Sequence, residues 1–207
     1  MAGLNASDQL IGGAATTDSV TASAVTGLTA ATGKLNIQDI ESVKIQATGA
    51  NTFDTSLMTG VTSLAISGAT PGTTTITNLA ASGLAIALGD AADEFDGTTE
   101  LDITLADSTG TSDSVTVNVD NRGGTATDAA IDMSGVETLN VVVLDDDTGN
   151  NAIVNLANAD VATINVSGGF AAAALAMGTL DVLTTTVDSS AYKGDVSFTG
   201  TNTDGIT

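Results

Sequence analysis

The chain is 207 residues long and sets 25 Asp plus Glu against four Lys plus Arg (Lys34, Lys44, Arg122 and Lys193), a formal charge of −21, with no Cys and no His. No thiolate or imidazole is available for nucleophilic or general-base chemistry, and the basic stripe that nucleic acid or an anionic membrane surface requires is missing. Hydrophobic residues make up 42% but aromatics only 2%, so a core must come from Val, Ile, Leu and Ala, which suits closely stacked strands better than a wide interior.

The opening MAGLNASDQLIGG has no basic region ahead of an apolar one and does not read as a cleavable secretory signal. Export is therefore expected to use a signal elsewhere, or the chain to be a piece of a longer protein. No apolar run approaches the eighteen or so residues of a membrane span, so membrane insertion is not expected. Residues 1–34, rich in Gly and Thr, are expected to form an amino-terminal coil or cap, and residues 35–207 one continuous repeat domain.

Along the chain, short runs place apolar residues two apart, the strand period: SVKIQA, SLAISG, LDITLA, SVTVNV, TLNVVV and TINVSG. They recur inside a longer unit. DIESVKI starts at Asp39, GVTSLAI at Gly60, GVETLNV at Gly135, DVATINV at Asp160 and DVLTTTV at Asp181, with a looser member, GLAIALG, at Gly83. A second element, a residue that is apolar in all but one case followed by Asp or Asn, reads FDTS at Phe53, TNLA at Thr77, IDMS at Ile131, VNLA at Val154 and VDSS at Val187. The pair FDTSLMTG and VDSSAYKG keeps its order through Gly60 and Gly194.

A period of about 20–25 residues with two or three strands per unit predicts an all-β, parallel β-solenoid (β-helix) whose coils stack in register. Val43 and Ile45, Leu64 and Ile66, Leu139 and Val141, and Ile164 and Val166 are expected to fill equivalent interior columns, each buried residue contributing roughly 1.5–3 kcal/mol. The competing architecture is a β-sandwich or a pair of immunoglobulin-like domains, which predicts no sustained repeat of this length. FAAAALAM, Phe170 to Met177, favours helix by propensity and is expected to form one helical turn or a loop plugging the core.

Calcium prefers six to eight oxygen ligands, so acidic turns are its natural hosts. The densest, DDDTGNN, offers Asp145, Asp147, Asn150 and Asn151, with Gly149 allowing a tight turn. A second, GDAADEFDG, offers Asp90, Asp93, Glu94 and Asp96, which repel one another unless neutralised. Asp18, after the pair Gly12 and Gly13, is a third. Each of these also reads as a plain solvated turn. Asp39, Asp54, Asp132, Asp160 and Asp188 are expected to be turn formers that bond their own backbone. Thr73, Thr75 and Thr77 alternate as a flat hydroxyl array would, but no second coil repeats them, so they are expected to be ordinary outward strand residues.

GVETLNV at Gly135, its relative DIESVKI at Asp39, and the opening SDQLIGGAATTDSV at Ser7 to Val20 carry a resemblance. The chain resembles the surface-layer and RTX-type proteins that Gram-negative bacteria export by type I secretion. That resemblance implies an extracellular, cell-surface structural protein loaded with Ca2+, which self-assembles as a homo-oligomer, lattice or filament, with a cell-surface polysaccharide or a protein as its anchor; the composition, with one Tyr, no Trp and four scattered cations, argues against enzymatic activity. The sequence departs from the family in one respect: Gly12 and Gly13 run into AATTDSV, and no intact GGxGxDxUx nonapeptide is present. Related repeats occur in bacteriophage virions, so an adhesin segment or a virion fibre or decoration protein that binds a host surface stands as the alternative.

Overall fold

The computed structural model describes residues 8–25, 35–70, 72–80, 84–89, 100–119, 129–144, 152–171, 173–200 and 205. In chain order the strands are β1 (Gln9–Ile11), β2 (Ser19–Val25), β3 (Asn36–Gln38), β4 (Ser42–Thr48), β5 (Asn51–Asp54) and β6 (Met58–Thr59). They continue with β7 (Ser63–Thr70), β8 (Thr73–Leu79), β9 (Ala85–Leu88), β10 (Glu100–Leu105), β11 (Ser114–Val119) and β12 (Ala129–Ser134). The last six are β13 (Thr138–Val143), β14 (Ala152–Asn158), β15 (Thr163–Gly168), β16 (Ala174–Thr179), β17 (Thr186–Tyr192) and β18 (Asp195–Thr199). One 3-10 turn, Thr55–Leu57, interrupts them, and no helix among the described residues is long and apolar enough to cross a membrane.

The strands sort into an eight-stranded sheet (β2, β4, β7, β9, β11, β13, β15, β17), a seven-stranded sheet (β5, β8, β10, β12, β14, β16, β18) and a short sheet of β1, β3 and β6. Each strand pairs in parallel with its counterpart one coil away. This is the expected parallel β-solenoid: consecutive strands belong to different sheets, and each sheet grows by one strand per coil. Steps run from 20 residues, from Thr179 to Thr199, to 31, from Ala85 to Thr116. The steps of 27 residues or more each span residues 26–34, 90–99 or 120–128, all outside the described residues.

Alternation decides which face is inside. In the eight-stranded sheet one interior column runs Val20, Val43, Leu64, Ile86, Val117, Val141, Val166, and a second Ala22, Ile45, Ile66, Leu88, Val119, Val143. Within each half the expected equivalences hold. Between the halves they slip by two: Leu64 continues into Val141, not Leu139, which pairs with Val115 and Ile164. A slip of two keeps every aliphatic side chain facing inward, whereas a slip of one would turn them all to solvent. The seven-stranded sheet supplies the facing column Phe53, Ile76, Ile103, Met133.

The heptad repeats are corners. Their first residue is left-handed: Asp39 (φ 53), Gly60 (φ 85), Gly135 (φ 70) and Asp160 (φ 47). Gly reaches this conformation freely and Asp is among the few residues that tolerate it, which is why these two alternate at the position. The second residue is buried (Ile40, Val61, Val136, Val161). The third and fourth donate their N–H groups to one carbonyl of the preceding coil: Glu41 and Ser42 to Asp18, Thr62 and Ser63 to Glu41, Glu137 and Thr138 to Asp113.

DVLTTTV departs from this pattern. Thr185 and Thr186 are the residues that donate to Ala162, so the last corner is displaced by two residues from Asp181, and Val182 and Leu183 stand exposed at 57% and 54%. FAAAALAM also differs from expectation. Its second half is strand β16, with Leu175 and Met177 buried and Ala174 and Ala176 turned outward, because pairing with β14 and β18 outweighs the helix propensity of Ala. Likewise FDTSLMTG and VDSSAYKG are not equivalent: the first lies in the seven-stranded sheet at β5, the second in the eight-stranded sheet at β17.

Candidate metal centre

Strand β10 reads ELDITL, and burying Leu101 and Ile103 forces Glu100, Asp102 and Thr104 outward. In β12, burying Ile131 and Met133 does the same for Asp132. The register then pairs Asp102 with Asp132 and Glu100 with Ala130, so two carboxylates stack directly and a third sits diagonally across. The carboxylate oxygens of Glu100, Asp102 and Asp132 lie within 4.8 Å of one another, and all three side chains are half-buried. On the other flank β8 supplies hydroxyls: Thr73 Oγ1 donates to Glu100 Oε2 at 3.3 Å, and Thr75 bonds the Asp102 carboxylate.

Like charges directly opposed across a parallel ladder are unfavourable. Accordingly the Asp102 carboxyl is pushed above its ordinary 3.8 by burial first, then by Glu100 and Asp132, with the Thr75 hydroxyl opposing. Asp132 is pushed up by burial, then Glu100, then Asp160. The stabilisation this cluster offers is present at low pH, where the groups carry protons, and is lost as pH rises through the raised pKa values.

A divalent cation removes the conflict. Two oxygens on one calcium, each bound at 2.3–2.6 Å, sit at most about 5 Å apart, and the observed spacing fits within that limit. Three carboxylates, bidentate where geometry allows, supply the hard anionic oxygens that Ca2+ or Mg2+ prefers. An ion there would tie β10 to β12, one coil to the next.

The candidates named from sequence fare differently. Asp145, Asp147, Asn150 and Asn151, and Asp90, Asp93, Glu94 and Asp96, lie outside the described residues. Asp18 is a corner lock: its Oδ2 accepts the Gly13 N–H at 2.7 Å, its own N–H donates to Glu41 Oε2 at 2.8 Å, and its carbonyl receives Glu41 and Ser42. The same lock recurs at Asp113, whose N–H donates to Glu137 Oε2 at 2.8 Å. Glu in DIESV and GVETL therefore caps the corner of the preceding coil.

Asp54 accepts Ser56 N–H at 3.1 Å and Asp188 accepts Ser190 N–H at 2.9 Å, as turn formers do, while Asp39 and Asp160 take left-handed corners. Asp132 does not belong with them; it is a mid-strand residue of the carboxylate cluster. Thr73, Thr75 and Thr77 do face outward around the buried Thr74 and Ile76, and they flank the acidic coil.

Comparison of the chain with protein-family models, curated proteins and solved structures yields no match.

Proposed function

We propose that this chain is a non-enzymatic structural module of a bacterial surface layer: a calcium-stabilised β-solenoid, extracellular, that assembles with copies of itself on the cell surface. One observation carries the reading. Glu100, Asp102 and Asp132 bring three mutually repelling carboxylates from two adjacent coils to within the span of one ion, in a chain whose charge of −21 already opposes compaction.

A cation bound to the folded state alone stabilises it by mass action, so calcium sets both the rigidity of the coil stack and the range of conditions in which it persists. The composition supports a structural role. There is no His or Cys to act as base or nucleophile, and the outward strand positions carry chiefly Thr, Ser, Asn, Ala and Asp. Two parallel sheets that continue from coil to coil through the described residues suit an external scaffold.

The test is thermal melting in chelator and after adding back millimolar calcium. The reading expects a marked loss of Tm in chelator and full recovery with calcium. A Tm indifferent to both removes calcium from the account and leaves the surface-layer role without its support.

A further inference from the structure

Strands β9 and β10 make one coil of the solenoid, β11 and β12 the next. Where these two coils meet, the eight-stranded sheet is poorly joined. On β11 the carbonyls of Asp113 and Val119 receive N–H groups from the following coil, so Asp113, Val115, Val117 and Val119 address β13, and Ser114, Thr116 and Asn118 address β9. Strand β9 meets β11 only from Ala85 at Thr116 to Leu88 at Val119, whereas β13 pairs with β11 from Ser114 onward. On the β9 side the ladder therefore stops short of Ser114. A cavity of about 260 Å3 lies there, between Leu79, Leu84 and Ala85 on one side and Ser114, Val115 and Thr116 on the other. The two-residue slip of the interior columns falls at the same strand.

On the seven-stranded sheet the same junction sets Asp102 against Asp132, with Glu100 beside them. The other flank of β10 is held differently, because the Thr73 and Thr75 hydroxyls of β8 bond Glu100 and Asp102. The coil of β9 and β10 is thus tied to the coil before it by hydrogen bonds and opposed by the coil after it through like charge.

We propose that this junction is a seam at which the solenoid parts first, and that a divalent cation on Glu100, Asp102 and Asp132 is its clasp. The inference rests on the calcium reading above and assigns the ion its place of action. Three weaknesses coincide here: an unfilled space removes dispersion contacts between the coils, a shortened ladder removes hydrogen bonds, and facing carboxylates add repulsion. In a stack whose coils touch only their neighbours, cooperativity passes through each junction in turn, so weakening one divides the stack into two blocks that open separately. An ion bridging β10 and β12 turns the repulsion at this junction into attraction and holds it from the opposite sheet. Cation concentration then sets whether the solenoid behaves as one rod or as two jointed blocks.

The experiment is residue-resolved hydrogen exchange of the full chain in chelator and in calcium. The amides of Thr116 and Asn118 report the seam, and those of Asn140 and Asn165 hold the corresponding place at the next two junctions. In chelator Thr116 and Asn118 should exchange at least tenfold faster than Asn140 and Asn165, and calcium should slow them at least tenfold while slowing the other two less. Ala85→Cys combined with Thr116→Cys staples the seam without metal: the two residues are paired, and parallel strands about 4.8 Å apart suit a disulfide. Oxidised, this variant should protect Asn118 in chelator as calcium does; reduced, it should exchange as the wild type does, which shows that it folds. Equal exchange at the three junctions in chelator, or an oxidised staple without effect, overturns the proposal. Calcium that protects all three junctions alike overturns it too and leaves the calcium reading standing, whereas exchange and melting both indifferent to calcium remove that reading and the clasp with it.

Discussion

Replacing Asp102 by Asn should stabilise the protein without metal and weaken it with metal. Two unit charges at the 4.8 Å limit of the cluster repel by about 1 kcal/mol in water-like surroundings and about 3.5 kcal/mol at an effective dielectric of 20. All three side chains keep contact with solvent, so the lower figure is the appropriate one. Asp102 faces both Glu100 and Asp132, so Asp102→Asn in chelator relieves roughly 1–2 kcal/mol, a rise in Tm of about 2–8 °C for a chain of this size. Calcium reverses the order: at a free concentration of about 100 times its Kd it adds about 2.7 kcal/mol to the wild type, and less to a variant that has lost a charged ligand. Paired calorimetric scans of the two proteins in chelator and in calcium read both signs at once. If Asp102→Asn melts at or below the wild-type temperature in chelator, the carboxylates are not in conflict; if calcium fails to invert the order, they do not share an ion.

In chelator, wild-type Tm should climb as pH falls from neutrality toward the ordinary carboxyl value of 3.8, because Asp102 and Asp132 take up protons in that window. Below it the trend should reverse, since Asp107 and Asp188, held low by the hydroxyls and N–H groups of Thr109 and Ser190, lose their bonds as pH drops through their depressed values. A melting series that declines steadily from pH 7 downward contradicts this. Thr74 is fully buried with an unpartnered Oγ1, so the isosteric Thr74→Val should stabilise by about 1–3 kcal/mol, read by urea titration. Gly135→Ala should cost at least about 1–2 kcal/mol, because the position is left-handed and an added Cβ meets Ser108 Cβ at 2.6 Å, whereas Asp39→Gly should be close to neutral. Glu137→Ala strips the acceptor from the Asp113 N–H and should be more destabilising than Glu137→Gln, which keeps a carbonyl oxygen in place.

The fold was legible because its two signals are local. Alternation in SVKIQA or TINVSG names the buried face, and a Gly or Asp opening each heptad names the left-handed corner. The register between coils is not local. The two-residue slip at β9 and the displaced corner after Asp181 leave no mark in either strand, since a slip of two preserves the inward pattern. FAAAALAM was misleading for a related reason: Ala favours helix in isolation, and only the neighbouring strands of β14 and β18 make it a strand.

The carboxylate cluster is not an acidic run contiguous in sequence. Glu100 and Asp102 were readable as one outward pair in ELDIT, but Asp132 lies 30 residues on from Asp102, and only the pairing of β10 with β12 brings it alongside. The corner lock has the same character. Glu in DIESV looks like a solvated charge until the coil below supplies the Asp18 N–H that it accepts.

A spectroscopic ruler measures the coil stack directly in a chain free of native Cys. Thr21, Lys44, Ala65, Ala87, Asn118, Val142, Ser167 and Ala191 form one outward column, each paired with the next. Parallel strands lie about 4.8 Å apart, so spin labels at Thr21→Cys combined with Asn118→Cys, Ser167→Cys or Ala191→Cys should report backbone separations near 19, 29 and 34 Å. A linear increase with coil number is the predicted result. Distances that fail to grow in that order, or that fold back as they would across two facing antiparallel sheets, contradict the solenoid and everything built on it.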